Sequence, residues 1–352
     1  MSLTILSVAY PLAPVSPDAA GGAEQVLSML DRAIVEAGHR SIVVAQEGSS
    51  IAGALVPVPA HAGELDEAAT ARAHAATRAA IGSALARFPV DLVHLHGIDF
   101  HAYLPPPGPP VLATLHLPPS WYPAEALRPT RPDTWLHCVS DLQHAACSEG
   151  PRLLPAIPNG VDVEALQARH AKRGFAMFLG RICPEKGVHL ALDAAKAAGV
   201  PLLVAGEVFS YEAHRRYFED EVRPRLDGER RFIGPIGFAR KRRLLTAARC
   251  LLVPSLAPET SSLVAREAAA CGTPVIAFPN GALSDAVEHG RTGILVRDVA
   301  EMADAIQRAG EIDPGTCRDT ARRRFSKDTM IAAYLDLYAR LAARGAPLHG
   351  AA

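Results

Sequence analysis

Short apolar runs alternate with amphipathic stretches along this chain. LTILSVAY (residues 3–10) reads as a buried strand, GGAEQVLSMLDRAIVEAGH (21–39) as an amphipathic helix ending at Gly38, and RSIVVAQ (40–46) as the next strand. VDLVHLHG (90–97), PPVLATLHLP (109–118) and WLHCVS (135–140) give three more strands, and the Ala-rich stretch Glu64 to Arg87 is helix-forming. The pattern then passes through a turn-rich segment, AIPNGVDVEALQARHAKRG, and restarts. FAMFLG (175–180), VPLLVAGE (200–207), RRFIGPIG (230–237), CLLVPS (250–255) and GTPVIAF (272–278) are its strands, and a helix is expected from about Gly187 to Ala198. Continuous apolar runs between helices predict parallel sheets covered on both faces. Two such halves predict an α/β protein of two facing, doubly wound, Rossmann-like domains. The expected boundaries are 1–160, 161–328 and a final amphipathic helix over 329–345 that docks on a neighbouring surface. The tail, 346–352, reads as frayed, and LPPPGPP (104–110) as a rigid connector.

Composition narrows the class. Half of the 352 residues are hydrophobic (49%) and 21% are charged, as in soluble globular proteins. Lys plus Arg (36) nearly cancels Asp plus Glu (37), which argues against nucleic acid as a partner. The local run ARKRRLL (239–245) reads as a solvated helix face rather than a membrane-surface patch. Six scattered cysteines without a C-x-x-C pair suit a reducing compartment, with no disulfide framework. The start MSLTILSVAYPLAP lacks a basic leader, and no stretch approaches the ~20 apolar residues of a membrane span. The expected location is cytoplasmic, with peripheral membrane contact left open.

Several positions carry chemistry. Gly21 and Gly22 lie between the first strand and first helix, where glycine lets a backbone approach a ligand and the helix N-terminus favours an anion; a tight turn explains them equally well. The pair is not G-x-G-x-x-G, so the dinucleotide fingerprint, and with it a nicotinamide oxidoreductase, is excluded. Gly180-Arg181 ends a strand, and Lys186-Gly187 opens the next helix. A guanidinium fork and an ammonium point charge at such a place suit a diphosphate, or else are ordinary surface charges. In ETSSLVAREAAACGTPVIA (259–277), Thr260, Ser261, Ser262 and Leu263 fall at a helix N-terminus. There Ser or Thr is first a cap, and the N–H groups can meet an anion. Glu259 before that helix suits sugar hydroxyls, and Glu267 about two turns in suits a ribose or else plain solvent. His94 and His96 share one face of a strand, and His116 ends the next. Without a carboxylate or Cys at ligand spacing they read as neutral histidines near substrate hydroxyls rather than as a zinc site. No D-x-D pair sits at a strand end to hold a cation.

Together, GGAEQVL, ATLHLP, PNGVD, GRICPEKG and the E-x7-E pair Glu259/Glu267 resemble the retaining glycosyltransferases of family 4, over essentially the whole chain. The resemblance implies the GT-B fold, with its deep cleft between two Rossmann-like domains. It implies a hexosyl transfer from a nucleotide-diphosphate sugar, UDP favoured over GDP, as substrate and not cofactor. No metal is implied. Arg181 and Lys186 would bind the donor diphosphate, Glu259 the donor-sugar hydroxyls and Glu267 the ribose. The N–H groups of Thr260, Ser261, Ser262 and Leu263 would meet phosphate and sugar, and Gly21 and Gly22 would let the N-terminal loop close. His116 matches the family's histidine near the reacting centre. The acceptor, a saccharide, lipid-linked glycan or small molecule, is expected near His96, Trp121 and Tyr122, with Arg128 and Arg131 facing acidic groups. Many members read Glu-x-Phe-Gly-Leu where this chain has Glu259-Thr260-Ser261-Ser262-Leu263, which bears on donor identity. A sugar-nucleotide epimerase or hydrolase, or a non-catalytic binding subunit, are the alternatives.

Overall fold

The computed structural model describes residues 2–345 apart from 62, 149 and 151. The described residues form two compact units, one of residues 2–157 with 330–345 and one of residues 158–329. The first unit thus ends at Ile157 rather than 160, and the C-terminal helix Lys327–Gly345 belongs to it from Met330 onward. The tail expected to fray lies outside the described residues.

The first unit is built on a parallel sheet of β1 (Thr4–Val8), β2 (Arg40–Gln46), β3 (Ala54–Val58), β4 (Leu92–Leu95), β5 (Val111–Leu115) and β6 (Thr134–Cys138), ordered β3-β2-β1-β4-β5-β6. Its central strands are buried throughout, as continuous Val, Ile and Leu runs require when both faces are covered. β3, ALVPV, escapes the sequence pattern because it contains Pro57. It lies at the sheet edge, where a missing N–H costs no ladder bond. The long helix Glu67–Arg87 starts three residues later than expected because the Asp66 side chain accepts from the Ala69 N–H and caps it there.

The second unit repeats the plan with β7 (Ala176–Leu179), β8 (Leu202–Ala205), β9 (Arg230–Phe232), β10 (Cys250–Val253), β11 (Val275–Ala277) and β12 (Gly293–Leu295), ordered β12-β11-β10-β7-β8-β9. Strand order reverses between β1 and β4 in one unit and between β7 and β10 in the other. Such reversals open a crevice at the carboxyl ends of the strands, where α/β sheets bind ligands. The turn-rich segment contains a short helix, Val163–Leu166, capped by Asp162. Within the second unit, PNGVD runs beside Phe325–Lys327: the Val161 N–H donates to the Phe325 carbonyl, and the Lys327 N–H donates to the Val161 carbonyl. Gly160 is required here, since a side chain on it would stand 2.5 Å from Lys327 Cα.

Candidate active site

Two loops at the β7/β10 reversal carry the candidate residues. After β7 comes Gly180-Arg181, then the turn Pro184–Lys186. After β10 comes Pro254-Ser255, leading to Glu259. The loops are fitted to one another by backbone contacts: the Leu256 N–H donates to the Glu185 carbonyl at 2.8 Å. Gly187 has φ +63°, and any side chain on it would meet the Pro254 carbonyl oxygen at 2.2 Å, so only glycine lets the turn carrying Lys186 lie this close. Glu259 is fixed from its other side, where its carbonyl accepts from Ala282 N–H at 2.7 Å.

This framing brings Lys186 Nζ to 2.5 Å from Glu259 Oε1, and Ser255 Oγ donates to the same oxygen at 2.5 Å. The Glu259 side chain is one-tenth exposed, the Lys186 side chain about one-quarter. Burial pushes the Glu259 carboxyl up. The Lys186 charge and hydrogen bond, the Ser255 hydroxyl and the Arg181 charge together outweigh that and hold it below its ordinary value. Glu259 is therefore a carboxylate at neutral pH. Arg181 is half-buried and, among the described residues, has no ion-pair partner. Glu259 is thus bonded to Lys186 while Arg181 stands nearby unpaired, an arrangement suited to a further anion.

The helix Leu263–Ala270 follows at once. Its N-cap, Ser262, has left-handed backbone (φ 52°, ψ 69°), and no side chain caps the helix. The expected capping role is thus corrected: in the left-handed region the Ser262 hydroxyl is not placed to accept from the first turn. Ser261 and Ser262 are both buried, yet neither hydroxyl has a hydrogen-bond partner. Buried hydroxyls are normally satisfied, and one left alone costs ~1–3 kcal/mol. The N–H groups of Ser262, Leu263 and Val264 also find no acceptor among the described residues. Arg266, fully buried, secures the loop from behind: its Nε donates to the Ser261 carbonyl at 3.1 Å, and its Nη1 to the Asn159 carbonyl. Its guanidinium lies 4.9 Å over the Phe325 ring, and burial pulls its pKa down to about 10. The Asn159 side-chain oxygen beside it is buried and unpartnered too.

Glu267 lies on the same helix, 6% exposed, with Lys241 Nζ at 2.5 Å. It is held in a buried ion pair rather than presented to solvent. Lys241 corrects the reading of ARKRRLL as a solvated face. It is only 8% exposed, on the helix Phe238–Ala247. The signal was in the spacing: Phe238, Lys241 and Leu245 follow one another at three and four residues, so Lys241 stands in the apolar stripe.

Comparison with known proteins decides the family. A family model described as Glycosyltransferase Family 4 matches residues 20–165, and one described as Glycosyl transferases group 1 matches residues 174–311. This chain belongs to the family 4 glycosyltransferases. It is 34% identical over 187 residues to a glycogen synthase of Mycobacterium tuberculosis, covering 49% of this chain and 44% of that protein. It is 32% identical over 167 residues to a phosphatidyl-myo-inositol mannosyltransferase of Mycobacterium leprae, covering 43% and 42%. The chain thus spans less than half the length of these curated relatives. Among solved structures, AviGT4, a glycosyltransferase involved in avilamycin A biosynthesis, is similar at 27% identity. Its TM-score is 0.72 over 97% of this chain and 98% of that one. The two Rossmann-like units are those of the GT-B fold.

In this family 4 chain the first unit carries the other expected residues. His96 Nδ1 lies 3.0 Å from His116 Nε2, with the rings stacked. Burial pulls both imidazoles down, His116 to about 3, so both are neutral at physiological pH. His94 is engaged elsewhere: its two nitrogens bond Tyr338 Oη at 2.8 Å and Thr114 Oγ1 at 2.7 Å. The three histidines therefore do not converge as a ligand set. Trp121 is exposed (39%), whereas Tyr122 is buried in the core, its hydroxyl accepting from the Leu117 N–H. Tyr122, expected near the acceptor, is thus a packing residue. Arg131 is corrected likewise: it is buried and donates to the carbonyls of Pro105, Pro106, Pro109 and Pro132. It pins the proline connector, while Arg128 remains exposed. Gly21 is the N-cap of the helix Gly22–Glu36. A side chain there would overlap the Glu24 carboxylate at 1.8 Å, so that glycine makes room for an acidic residue in the first turn. Among the described residues no helix is long and apolar enough to cross a membrane.

Proposed function

We propose that this protein transfers a hexosyl unit from a nucleotide-diphosphate sugar to an acceptor hydroxyl, with retention at the anomeric carbon and without a metal. The observation that carries the reading is the Lys186–Glu259 pair with Arg181 beside it, next to a helix start with free N–H groups. Breaking a glycosyl–phosphate bond leaves negative charge on the diphosphate. Fixed cations and N–H donors aimed at it are the largest expected contribution to the rate. In this reading Arg181, Lys186 and the N–H groups from Ser262 to Val264 hold the diphosphate, and Glu259 orders the donor-sugar hydroxyls. Glu267, itself held by Lys241, meets the ribose. The acceptor hydroxyl attacks the anomeric carbon from the leaving-group side and its proton passes to the departing diphosphate oxygen. No protein nucleophile is needed. His96, His116 and Trp121 are the residues for the acceptor side.

A uridine donor is favoured over a guanosine one. Anabaena HepE, 19% identical with a TM-score of 0.74 over 96% of this chain and 99% of that one, was solved with UDP and glucose, which supports the reading by fold. Ligand-observed NMR of the protein against UDP-glucose, UDP-galactose, UDP-N-acetylglucosamine, GDP-mannose and the free nucleotides, with and without EDTA, tests it. One binder that persists in EDTA is expected. Binding that vanishes with EDTA and returns with Mg2+ or Mn2+ but not with Zn2+ would overturn the metal-free part. Binding and breakdown of the donor with no transfer to any acceptor would favour a hydrolase.

A further inference from the structure

A second cluster of side chains lies on the turn that delivers Lys186, and glycosyl transfer makes no use of it. Cys183 follows β7, Glu185 is in the turn Pro184–Lys186, and His214 is on the short helix Glu212–Tyr217. The Cys183 sulfur, a Glu185 carboxylate oxygen and a His214 ring nitrogen all lie within 4.8 Å of one another. We propose that Cys183, Glu185 and His214 form a three-ligand site for a soft divalent transition metal of the zinc class.

Four features support it. The donor set itself is selective: sulfur, imidazole nitrogen and one carboxylate suit zinc or cobalt, whereas calcium and magnesium take oxygen ligands. His214 Nδ1 is buried without a hydrogen-bond partner, an unsatisfied atom that a metal would satisfy. The ring is also held in place, stacked against Phe209 at 6.3 Å and met edge-on by Tyr211 at 5.1 Å. Finally, the charges balance. A thiolate and a carboxylate neutralise a divalent ion, the thiol giving up its proton as the metal binds. The fourth position is left for water. Because the Glu185 carbonyl accepts from the Leu256 N–H, an ion here braces the turn against the loop that leads to Glu259.

The test is cobalt binding to the full chain after chelator treatment under reducing conditions. The expected result is one Co2+ per chain, with the intense visible bands of a tetrahedral ion and a thiolate-to-cobalt charge-transfer band, displaced by Zn2+. Cys183→Ser should abolish the charge-transfer band. His214→Ala, at a partly exposed position, should keep the fold and weaken Co2+ binding by more than ~10-fold, since loss of even an outer partner of a metal site costs that much. If Cys183→Ser disturbs folding, the His214→Ala titration decides. Absence of the charge-transfer band in the unaltered protein would overturn the proposal. So would its persistence in folded Cys183→Ser, or Co2+ affinity unchanged in His214→Ala. Failure here leaves donor binding in EDTA untouched, and failure of the donor reading leaves these spectra untouched.

Discussion

The two units each bury a polar cluster near the reversal point of a parallel sheet, and the clusters are opposite in kind. In the first unit, one carbonyl orders every proton. The Cys138 carbonyl can only accept, so His137 carries its proton on Nδ1. The neutral His137 Nε2 must then accept from Thr114, and Thr114 Oγ1 in turn accepts from His94 Nε2–H. That leaves His94 Nδ1 to accept from the Tyr338 hydroxyl. These four residues satisfy one another and tie the C-terminal helix to β4 through β6, while the Tyr334 hydroxyl and His96 Nε2 packed beside them are buried without partners among the described residues. In the second unit the cluster is charged and open: the Ser261 and Ser262 hydroxyls and a helix start lack partners in the segment that follows Glu259, the partner of Lys186. A closed, neutral cluster fixes structure, whereas an open, charged one is shaped for a ligand the chain does not itself supply.

Removing charge from the open cluster should give the largest effect. Lys186→Met should cut the transfer rate by ~100- to 1,000-fold, the usual loss when one preorganised partner of a developing charge is deleted. It should also move the acid limb of the rate profile. Burial raises the Glu259 carboxyl, and Lys186 supplies the leading opposing effects, so without Lys186 that carboxyl titrates at higher pH. Initial rates as a function of pH read both. A slow variant whose acid limb stays in place would separate Lys186 from Glu259.

The closed cluster should instead show its role in stability. Thr114→Val keeps the shape but strands His94 Nε2–H and His137 Nε2. About 2–6 kcal/mol should be lost in urea unfolding, from ~1–3 kcal/mol for each of the two buried groups left unpaired. Acid should act on this cluster and on the His96–His116 pair beside it. His94, His96, His116 (about 3) and His137 (about 4) all titrate below their ordinary range, chiefly through burial. The unfolded chain then binds more protons than the folded one. Stability is fully present above about pH 6.5 and falls as pH drops from there towards 4. Between pH 6 and 4.5, above most carboxyl titrations, the slope should approach one proton for each of the four histidines. A flat stability curve across that window would mean the histidines are not held neutral.

How far this contrast was legible in the sequence follows from what each feature depends on. Both sheets and the restart near residue 170 were readable because buried parallel strands are continuous apolar runs. β3 and β12 were not. Pro57 masks the first, and the second, Gly293–Leu295, is too short to stand out. Arg181, Lys186 and Glu259 could be named because spacing and strand ends carry them. What the sequence hides is which charges are turned inward. Arg131, Lys241 and Arg266 look like surface cations, yet each is buried on carbonyls or a carboxylate across the fold. Tyr122 and the Ser262 backbone likewise depend on tertiary packing that local pattern does not encode.

Lys241 belongs between the two kinds of cluster, paired like the open one and buried like the closed one. Lys241→Met should leave Glu267 buried without a counter-charge. If Glu267 meets the ribose, nucleotide affinity should fall by ~10-fold or more, because a carboxylate that has lost Lys241 is no longer held where the ribose hydroxyls would meet it. Titration calorimetry with the nucleotide that binds best measures this. Unchanged affinity would assign the pair to packing alone.

The smallest expected effect is the most discriminating. Ser262 holds a left-handed backbone that costs an L-residue about 1–2 kcal/mol, and its hydroxyl is buried unpaired. Ser262→Gly removes both penalties but adds ~0.5–1 kcal/mol of freedom to the unfolded chain. A net gain of at least ~1 kcal/mol in the ligand-free protein is therefore expected in urea unfolding. If the serine is kept because its hydroxyl meets the donor, the same variant should bind the nucleotide sugar several-fold more weakly while binding the free nucleotide as before. Higher stability with weaker donor binding is the signature of strain retained for a ligand. Higher stability with equal donor binding would mean that the hydroxyl contacts nothing in the complex. The open cluster would then reach the donor through its backbone N–H groups and its cations alone.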